Sequence, residues 1–165
     1  MSAHAVTIGV VIERRASSHP WADVVWLPAA VLPAAPAVQP WTELRRENDA
    51  ALIYAGAFDL ALHPADAANY RDNLLSGEPK LWVSLRSGGD APVRVVGVTA
   101  DPAEGEALSG AGDDIVEPVA MPPEIASMLT AFVDEHYVER AFYKRQRDRA
   151  DPEALARGPI EDADD

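Results

Sequence analysis

The clearest structural signal in this chain lies in Lys80–Thr99, which reads KLWVSLRSGGDAPVRVVGVT. Polar and apolar residues alternate over its first seven positions, the period of a β-strand that buries one face. The pair Gly88-Gly89 separates this run from a second, valine-rich run at Val93–Thr99, so the two runs predict a β-hairpin. The alternation predicts an inner face of Leu81, Val83 and Leu85, and an outer face of Lys80, Trp82, Ser84 and Arg86.

Five further runs rich in β-branched and aromatic residues predict strands on either side of this hairpin. They are Val6–Arg15, Asp23–Leu32, Trp41–Arg46, Ala51–His63 and Ile115–Val119. Pro28 predicts an edge position or a bulge, because proline cannot donate a hydrogen bond to a neighbouring strand. Prolines at 33, 36 and 40 predict an extended linker. In the fourth run, period two predicts a shared face for Tyr54, Phe58, Leu60 and Leu62.

Three segments carry helix signals. Ala65–Ser76 predicts a short helix, and Asp101-Pro102 predicts an N-cap and first turn for a second one through Leu108. The last begins near Pro122 and has an apolar stripe at helical spacing, formed by Ile125, Met128, Leu129, Phe132, Val133 and His136. We therefore expect an α+β fold: a mainly antiparallel β-sheet or partly open barrel of about five to seven strands, with a long C-terminal amphipathic helix and one or two short helices.

Length and charge indicate one domain. The chain has 165 residues and a net charge of −13, and we expect a single domain over residues 1–149 followed by an acidic, disordered tail over 150–165. Residues 139–149 form a basic island of five basic and two acidic residues. No apolar run reaches the ~18 residues of a membrane span, and no signal peptide precedes the first strand. We therefore expect a cytoplasmic protein.

Catalytic signatures are missing from the sequence. The chain has no cysteine, which excludes disulfides, thiolate nucleophiles and cysteine-ligated metals. It has no nucleophile elbow, phosphate-binding glycine loop or HExxH pair. His19, His63 and His136 lie on separate predicted elements and His4 lies near the N-terminus, so we predict no metal site, no catalytic residues and no cofactor. A binding protein is favoured over an enzyme.

The basic island also contains aromatic residues and is the first candidate binding segment. Basic residues at the end of a helix are also favoured by the helix dipole alone. The functional interpretation is a docking element for a partner polypeptide, formed by Arg140, Phe142, Tyr143, Lys144, Arg145 and Arg147. Nucleic acid is disfavoured as the partner because the rest of the chain is acidic.

A second candidate site uses the outer face of the hairpin. Trp82, Arg86 and Arg94 could stack on and neutralise a nucleotide-like or pterin-like small ligand, provided that a concave pocket holds them. The ordinary interpretation of the tryptophans is core packing and loop anchoring. These two sites give two functions, a partner-binding protein and, as the alternative, a small-ligand binding protein or enzyme.

Several short segments together resemble the DUF3305 family, a bacterial domain of unknown function, over nearly all of residues 6–149. These segments are GVVIERR (9–15), PW (20–21) with Trp26, LSGEP (75–79), VTA (98–100), VEPVAMP (116–122) and HYVER (136–140) through Lys144-Arg145. The resemblance implies a non-catalytic accessory or assembly role beside molybdenum-dependent formate dehydrogenases and their maturation factors. It supplies no catalytic residues, and a chain without cysteine cannot carry sulfur on a thiol.

Overall fold

A computed structural model describes residues 4–18 and 23–138 of the protein. The described chain forms two antiparallel β-sheets and three α-helices, with a 3-10 turn at Pro64–Asp66. The strands are β1 (His4–Ala16), β2 (Val24–Leu32), β3 (Thr42–Glu47), β4 (Ala50–Leu62), β5 (Lys80–Ser87), β6 (Val93–Thr99) and β7 (Ile115–Ala120); the helices are α1 (Ala67–Leu74), α2 (Pro102–Ser109) and α3 (Pro123–His136).

The four-stranded sheet has the order β2-β1-β4-β3. Pro28 lies in the edge strand β2, as predicted, next to Ala29, an extra residue without a counterpart in β1. Because β2 and β3 occupy opposite edges, the linker of residues 33–41 must cross the outer face of this sheet. A Cβ atom on Gly9 would lie 3.3 Å from Pro36 Cδ and 3.0 Å from Tyr54 Cε1. The linker therefore packs closely on β1 and needs glycine beneath it.

A bulge in β4 corrects one predicted face. Val10 pairs with Gly56 and Val11 pairs with Tyr54, so Ala55 is an extra residue without a counterpart in β1. One extra residue reverses the alternation of side chains that follows it. Phe58 and Leu60 face the other sheet, whereas Tyr54 is buried on the opposite face beneath the linker. The predicted common face for Tyr54 and Phe58 is wrong for this reason.

The three-stranded sheet has the order β6-β5-β7. Its inner face carries Leu81, Val83 and Leu85, as predicted, and these side chains pack in one core with the buried residues of β1 and β4. Where the two sheets pack against each other, β7 contacts β2 and β6 contacts β4. The prediction of a mainly antiparallel α+β fold is confirmed, and the sheets are two separate layers that do not close into a barrel.

Helix α2 covers the outer face of the three-stranded sheet. Its N-cap is Asp101, whose Oδ1 accepts hydrogen bonds from the backbone N–H groups of Ala103 at 2.9 Å and Glu104 at 3.4 Å. Pro102 occupies the first turn, as the sequence predicts. Gly105 brings the helix backbone directly against the Trp82 indole.

Replacing Asp101 with alanine is expected to lower the free energy of unfolding by about 1–2 kcal/mol, because both amides at the start of α2 lose their acceptor. The same change removes the acceptor of the Asn69 side-chain amide, 3.2 Å from Asp101 Oδ2. Urea unfolding followed by tryptophan fluorescence measures the loss. Asp101→Asn keeps a capping oxygen and should lose less than half as much; equal losses for the two variants would contradict the capping role.

Helices α1 and α3 pack against each other beside the 3-10 turn. Asn73 of α1 is 3 % exposed, and its side-chain amide donates to the carbonyls of Lys80 in β5 and of Ala100 directly after β6. On α3 the predicted stripe is buried at Ile125, Leu129, Phe132 and Val133. This helix is 14 residues long and ends at His136, after which Tyr137 has extended backbone, so a long C-terminal helix is not confirmed. Within the described residues, no helix is long and apolar enough to cross a membrane.

Candidate binding cleft

The first predicted binding segment falls outside the residues that the structure describes. Its six residues, Arg140, Phe142, Tyr143, Lys144, Arg145 and Arg147, all lie beyond position 138. Docking through this basic island therefore stays a prediction.

The structure separates one member of the second predicted site from the other two. Trp82 is half-buried and packs against Gly105 of α2. Arg86 and Arg94 are cross-strand partners on β5 and β6. Arg86 donates two hydrogen bonds to Asp114, with Nε–Oδ1 at 2.8 Å and Nη2–Oδ2 at 2.9 Å. One cavity among the described residues is lined by Arg94 but not by Trp82 or Arg86.

That cavity is a cleft between the two sheets at the edge formed by β6. Its volume is about 110 Å³, and apolar side chains form most of its wall. Strand residues of both layers contribute, and Trp41 stands directly before β3. The lining residues are Ile12, Trp41, Ala55, Phe58, Leu85, Ala91, Val93, Arg94 and Val95.

Trp41 is held at the cleft in an unusual backbone conformation. Its φ is 73°, a left-handed value that is an outlier for a bulky side chain. The backbone N–H of Trp41 donates to the Tyr54 carbonyl at 2.6 Å, which fixes this conformation. The side chain is nevertheless 39 % exposed. Strain of this kind persists where the surrounding structure enforces it, and it occurs often at binding sites.

A second tryptophan and an arginine support the Trp41 ring. Trp26 meets it edge to face, with ring centroids 5.7 Å apart and an interplanar angle of 81°. The Arg14 guanidinium lies 6.0 Å from the centroid of the Trp26 ring. Tryptophan and arginine dominate the energetics of protein interfaces. The sequence interpretation of Trp26 and Trp41 as packing residues misses this grouping, because residues 14, 26 and 41 meet only through strand pairing.

Two arginine-rich clusters lie close in sequence to residues of the cleft wall, and each has two arginines and one carboxylate. In the first, Glu43 accepts hydrogen bonds from Arg46 at 2.7 and 3.0 Å. These bonds hold the pKa of Glu43 below its ordinary value although burial acts in the opposite direction, and the charges of Arg46 and Arg14 lower it further. The pKa of the Arg46 guanidinium is raised in return by Glu43.

The second cluster contains Arg86, Arg94 and Asp114. The pKa of Asp114 is held below its ordinary value mainly by its hydrogen bonds to Arg86, with further lowering by the charges of Arg86 and Arg94. The pKa of Arg86 is raised by the same hydrogen bonds. Each cluster therefore has one positive charge more than its carboxylate neutralises.

The far end of β1 shows a different grouping, of two histidines around one phenylalanine. Phe132 lies between His4 and His136, with ring centroids at 5.3 and 4.4 Å. The His136 Nε2 atom is buried without a hydrogen bond and lies 3.8 Å from Glu135 Oε1. Over residues 4–18 and 23–138, no three histidine, aspartate or glutamate side chains converge as metal ligands. Nearby, burial raises the pKa of Tyr70, whose hydroxyl oxygen accepts a hydrogen bond from the His63 backbone.

The cleft suits an apolar group the size of one side chain. A cavity of about 150 Å³ can hold benzene, whereas pockets for drug-sized ligands begin at about 300 Å³. At about 110 Å³ this cleft falls below both values. Its wall offers apolar contact, and its polar surroundings offer guanidinium groups. The arrangement can anchor a side chain and attract a carboxylate.

These features define a small two-layer α+β protein with a narrow apolar cleft between its sheets. The family model described as "Protein of unknown function (DUF3305)" matches residues 7–147. The chain belongs to the DUF3305 family, as its short segments indicate. No curated protein and no solved structure matches the chain.

Proposed function

We propose that this protein is a non-catalytic accessory protein that binds a partner polypeptide. The observation that carries the proposal is Trp41, a half-exposed indole held by a strained backbone at the mouth of an apolar cleft. Trp26 and Arg14 extend the same surface. An aromatic anchor beside a pocket, with arginine at its rim, is the usual composition of an interface hot spot.

The partner that we propose is a subunit or maturation factor of a molybdenum-dependent formate dehydrogenase. This part of the proposal rests on the family resemblance alone. It is compatible with a chain that has no cysteine, because such a protein would bind or hold a polypeptide and would not carry sulfur. The cytoplasmic location and a contribution of residues 140–147 to docking remain predictions attached to it.

The small-ligand alternative has less support. A nucleotide-like or pterin-like compound needs a larger cavity than about 110 Å³. Its proposed stacking residue, Trp82, packs against α2, and Arg86 is engaged by Asp114. Arg94 is the one predicted residue that lines the cleft, and it serves partner binding equally well.

Replacing Trp41 with alanine is expected to reduce partner capture by about tenfold or more, the effect of losing a hot-spot residue. The measurement is quantitative mass spectrometry of formate dehydrogenase subunits and maturation factors that co-purify with the tagged protein from its native host. Leu75→Ala is the matched control, because Leu75 is also an exposed apolar residue but lies at the end of α1, away from the cleft.

Trp41→Gly separates binding from folding. Glycine adopts a positive φ freely, so this variant should be more stable than Trp41→Ala by roughly 1 kcal/mol. If the indole binds the partner, both variants lose capture equally despite this difference. Capture that follows stability, capture that is unchanged in both variants, or no formate dehydrogenase component captured by the unaltered protein would contradict the proposal.

A further inference from the structure

The three-stranded sheet is one strand narrower than the sheet that it covers. Because β7 lies beside β2 and β6 beside β4, β3 extends beyond the last strand of the opposite layer. Every residue of β3 except Thr42 is exposed, and the apolar Leu44 is 44 % exposed to solvent. The position next to β6 and opposite β3 is therefore vacant in the described structure.

The edge of β6 also lacks the protection found on the other sheet edges. Proteins commonly block edge strands with proline or with charged side chains. Pro28 interrupts β2, Pro118 interrupts β7, and four of the six residues of β3 are charged. In contrast, β6 has no proline and a single charged residue, and its Val96 is 38 % exposed. Its backbone is the one best suited to accept another strand.

We propose that an extended segment of the partner polypeptide, with apolar residues alternating with acidic ones, adds to β6 as a fourth strand. This inference rests on the proposed function and specifies how the partner binds. The added strand would lie about 4.8 Å from β6 and direct every second side chain toward β3. Val93 and Val95 of β6 line the cleft, so one side chain of the added strand enters the cleft beside Trp41. Strand addition with a side-chain pocket is a general mode of peptide recognition.

Charge identifies the other side chains of this segment as acidic. The two arginine-rich clusters, Arg14 with Arg46 and Glu43, and Arg86 with Arg94 and Asp114, each have one surplus positive charge. Neither Arg14 nor Arg94 has a carboxylate within ion-pair distance among the described residues. The exposed acids of the adjoining turns, Asp49, Asp90 and Asp113, belong to neither cluster. Because Val93 and Val95 face the cleft, Arg94 alternates to the other face of β6, and the acidic side chains of an added strand would lie on that same face, where they can reach Arg94.

The size of the cleft favours a branched aliphatic anchor. Its volume of about 110 Å³ is smaller than the ~150 Å³ cavity that accepts benzene. Leucine, isoleucine or valine therefore fits better than phenylalanine or tryptophan. The outer wall is the Trp41 indole, whose exposed surface would be covered by the incoming strand.

The test uses the full chain, labelled with ¹⁵N, and a blocked heptapeptide of sequence Glu-Val-Asp-Leu-Glu-Val-Asp. We expect saturable chemical-shift changes at the amides of residues 93–97 and at the Trp41 indole N–H. A peptide with lysine in place of each acidic residue should bind at least about tenfold more weakly at about 0.15 M salt, where the net charge of −13 is screened beyond about 8 Å and the nearby Arg94 meets the lysines with like charge.

Two N-methylated forms of the acidic peptide distinguish strand addition from simple side-chain anchoring. One form is methylated at the odd positions and the other at the even positions. Only one edge of an added strand faces β6, so one form should lose at least about tenfold in affinity while the other binds like the parent. The protein is unaltered in this comparison, so misfolding of a variant cannot produce the result.

Several results would overturn the inference. They are equal binding of both methylated forms, no shift changes with the parent peptide at about 1 mM, or tighter binding of the basic peptide.

A dimer of the unaltered protein with protected β6 amides would identify a second copy as the occupant. A cross-link from a photoreactive group at position 44 to residues 150–165 would identify the chain's own tail. Capture that depends on Trp41 can survive each of these results, so failure here is distinct from failure of the proposed function.

Discussion

Replacement of Asn73 with alanine is expected to lower the free energy of unfolding by about 3 kcal/mol or more, since three hydrogen bonds are lost inside the protein. The Asn73 Nδ2 group donates to the carbonyls of Lys80 at 2.8 Å and Ala100 at 2.9 Å. Its Oδ1 accepts from the Lys80 backbone N–H at 3.0 Å. Without the amide, these three backbone groups lose a partner whose side chain is 3 % exposed.

The Asn73→Asp variant tests the donor half of this arrangement. It keeps the acceptor but turns a carboxylate oxygen toward two carbonyl oxygens, so the folded state raises the pKa of the new carboxyl. A group whose pKa is raised on folding contributes most below its unfolded value and loses that contribution as the pH rises. The free energy of unfolding of this variant should therefore fall further below that of the unaltered protein as the pH rises from about 4 to about 7.

Urea unfolding at both pH values measures these effects. Asp72→Asn is the matched control, because residue 72 is exposed on the same helix and should change stability by less than about 0.5 kcal/mol. A loss below about 1 kcal/mol for Asn73→Ala would mean that the three backbone groups find other partners. If the stability loss of Asn73→Asp does not change with pH, the amide does not direct its Nδ2 group at the two carbonyl oxygens.

The second large effect is expected for Gly105→Ala, which should destabilise the protein by about 2 kcal/mol although alanine is the better helix former. A Cβ atom at position 105 would lie within 2.7 Å of three atoms of the Trp82 indole, Cγ, Cδ1 and Cδ2. Carbon atoms do not approach so closely, so α2 or the indole must move. The gain of about 1 kcal/mol in helix propensity offsets only part of this cost.

A double-mutant cycle assigns the cost to this contact. Combining Gly105→Ala with Trp82→Leu should remove most of the penalty, which gives a coupling energy of about 1–2 kcal/mol. Gly110→Ala, at the C-cap of the same helix, is the control, because a Cβ there would meet nothing nearer than 3.9 Å. If Gly105→Ala is neutral or stabilising in thermal unfolding, α2 does not lie against Trp82 as described.

Local sequence signals predict most of the elements of this fold. The alternation in β5, the capping residue Asp101 and the apolar stripe of α3 each act within a few residues, and each is where the pattern places it. The face of Tyr54 could not be predicted, because the bulge at Ala55 depends on pairing with β1 more than forty residues away. A long C-terminal helix is not confirmed, because α3 ends at His136 and Tyr137 has extended backbone.

The cleft is harder to predict for a similar reason. Its wall combines residues of β1, β4, β5 and β6, which are far apart in sequence. A tryptophan after a proline linker gives no sign that its φ is positive or that its ring stays exposed. The predicted residues Trp82, Arg86 and Arg94 are close in sequence, yet α2 covers the first of them. Strand pairing therefore determines the site more than any local motif does.

The unprotected edge of β6 has a consequence for the behaviour of the protein when it has no partner. A bare strand edge is where two identical molecules can pair and begin to aggregate. The net charge of −13 opposes this by making molecules repel one another at a distance. Dissolved salt shortens the range of that repulsion to about 10 Å at 0.1 M. Colloidal stability of the free protein thus depends on its charge, and a bound partner would provide the same protection by covering the edge.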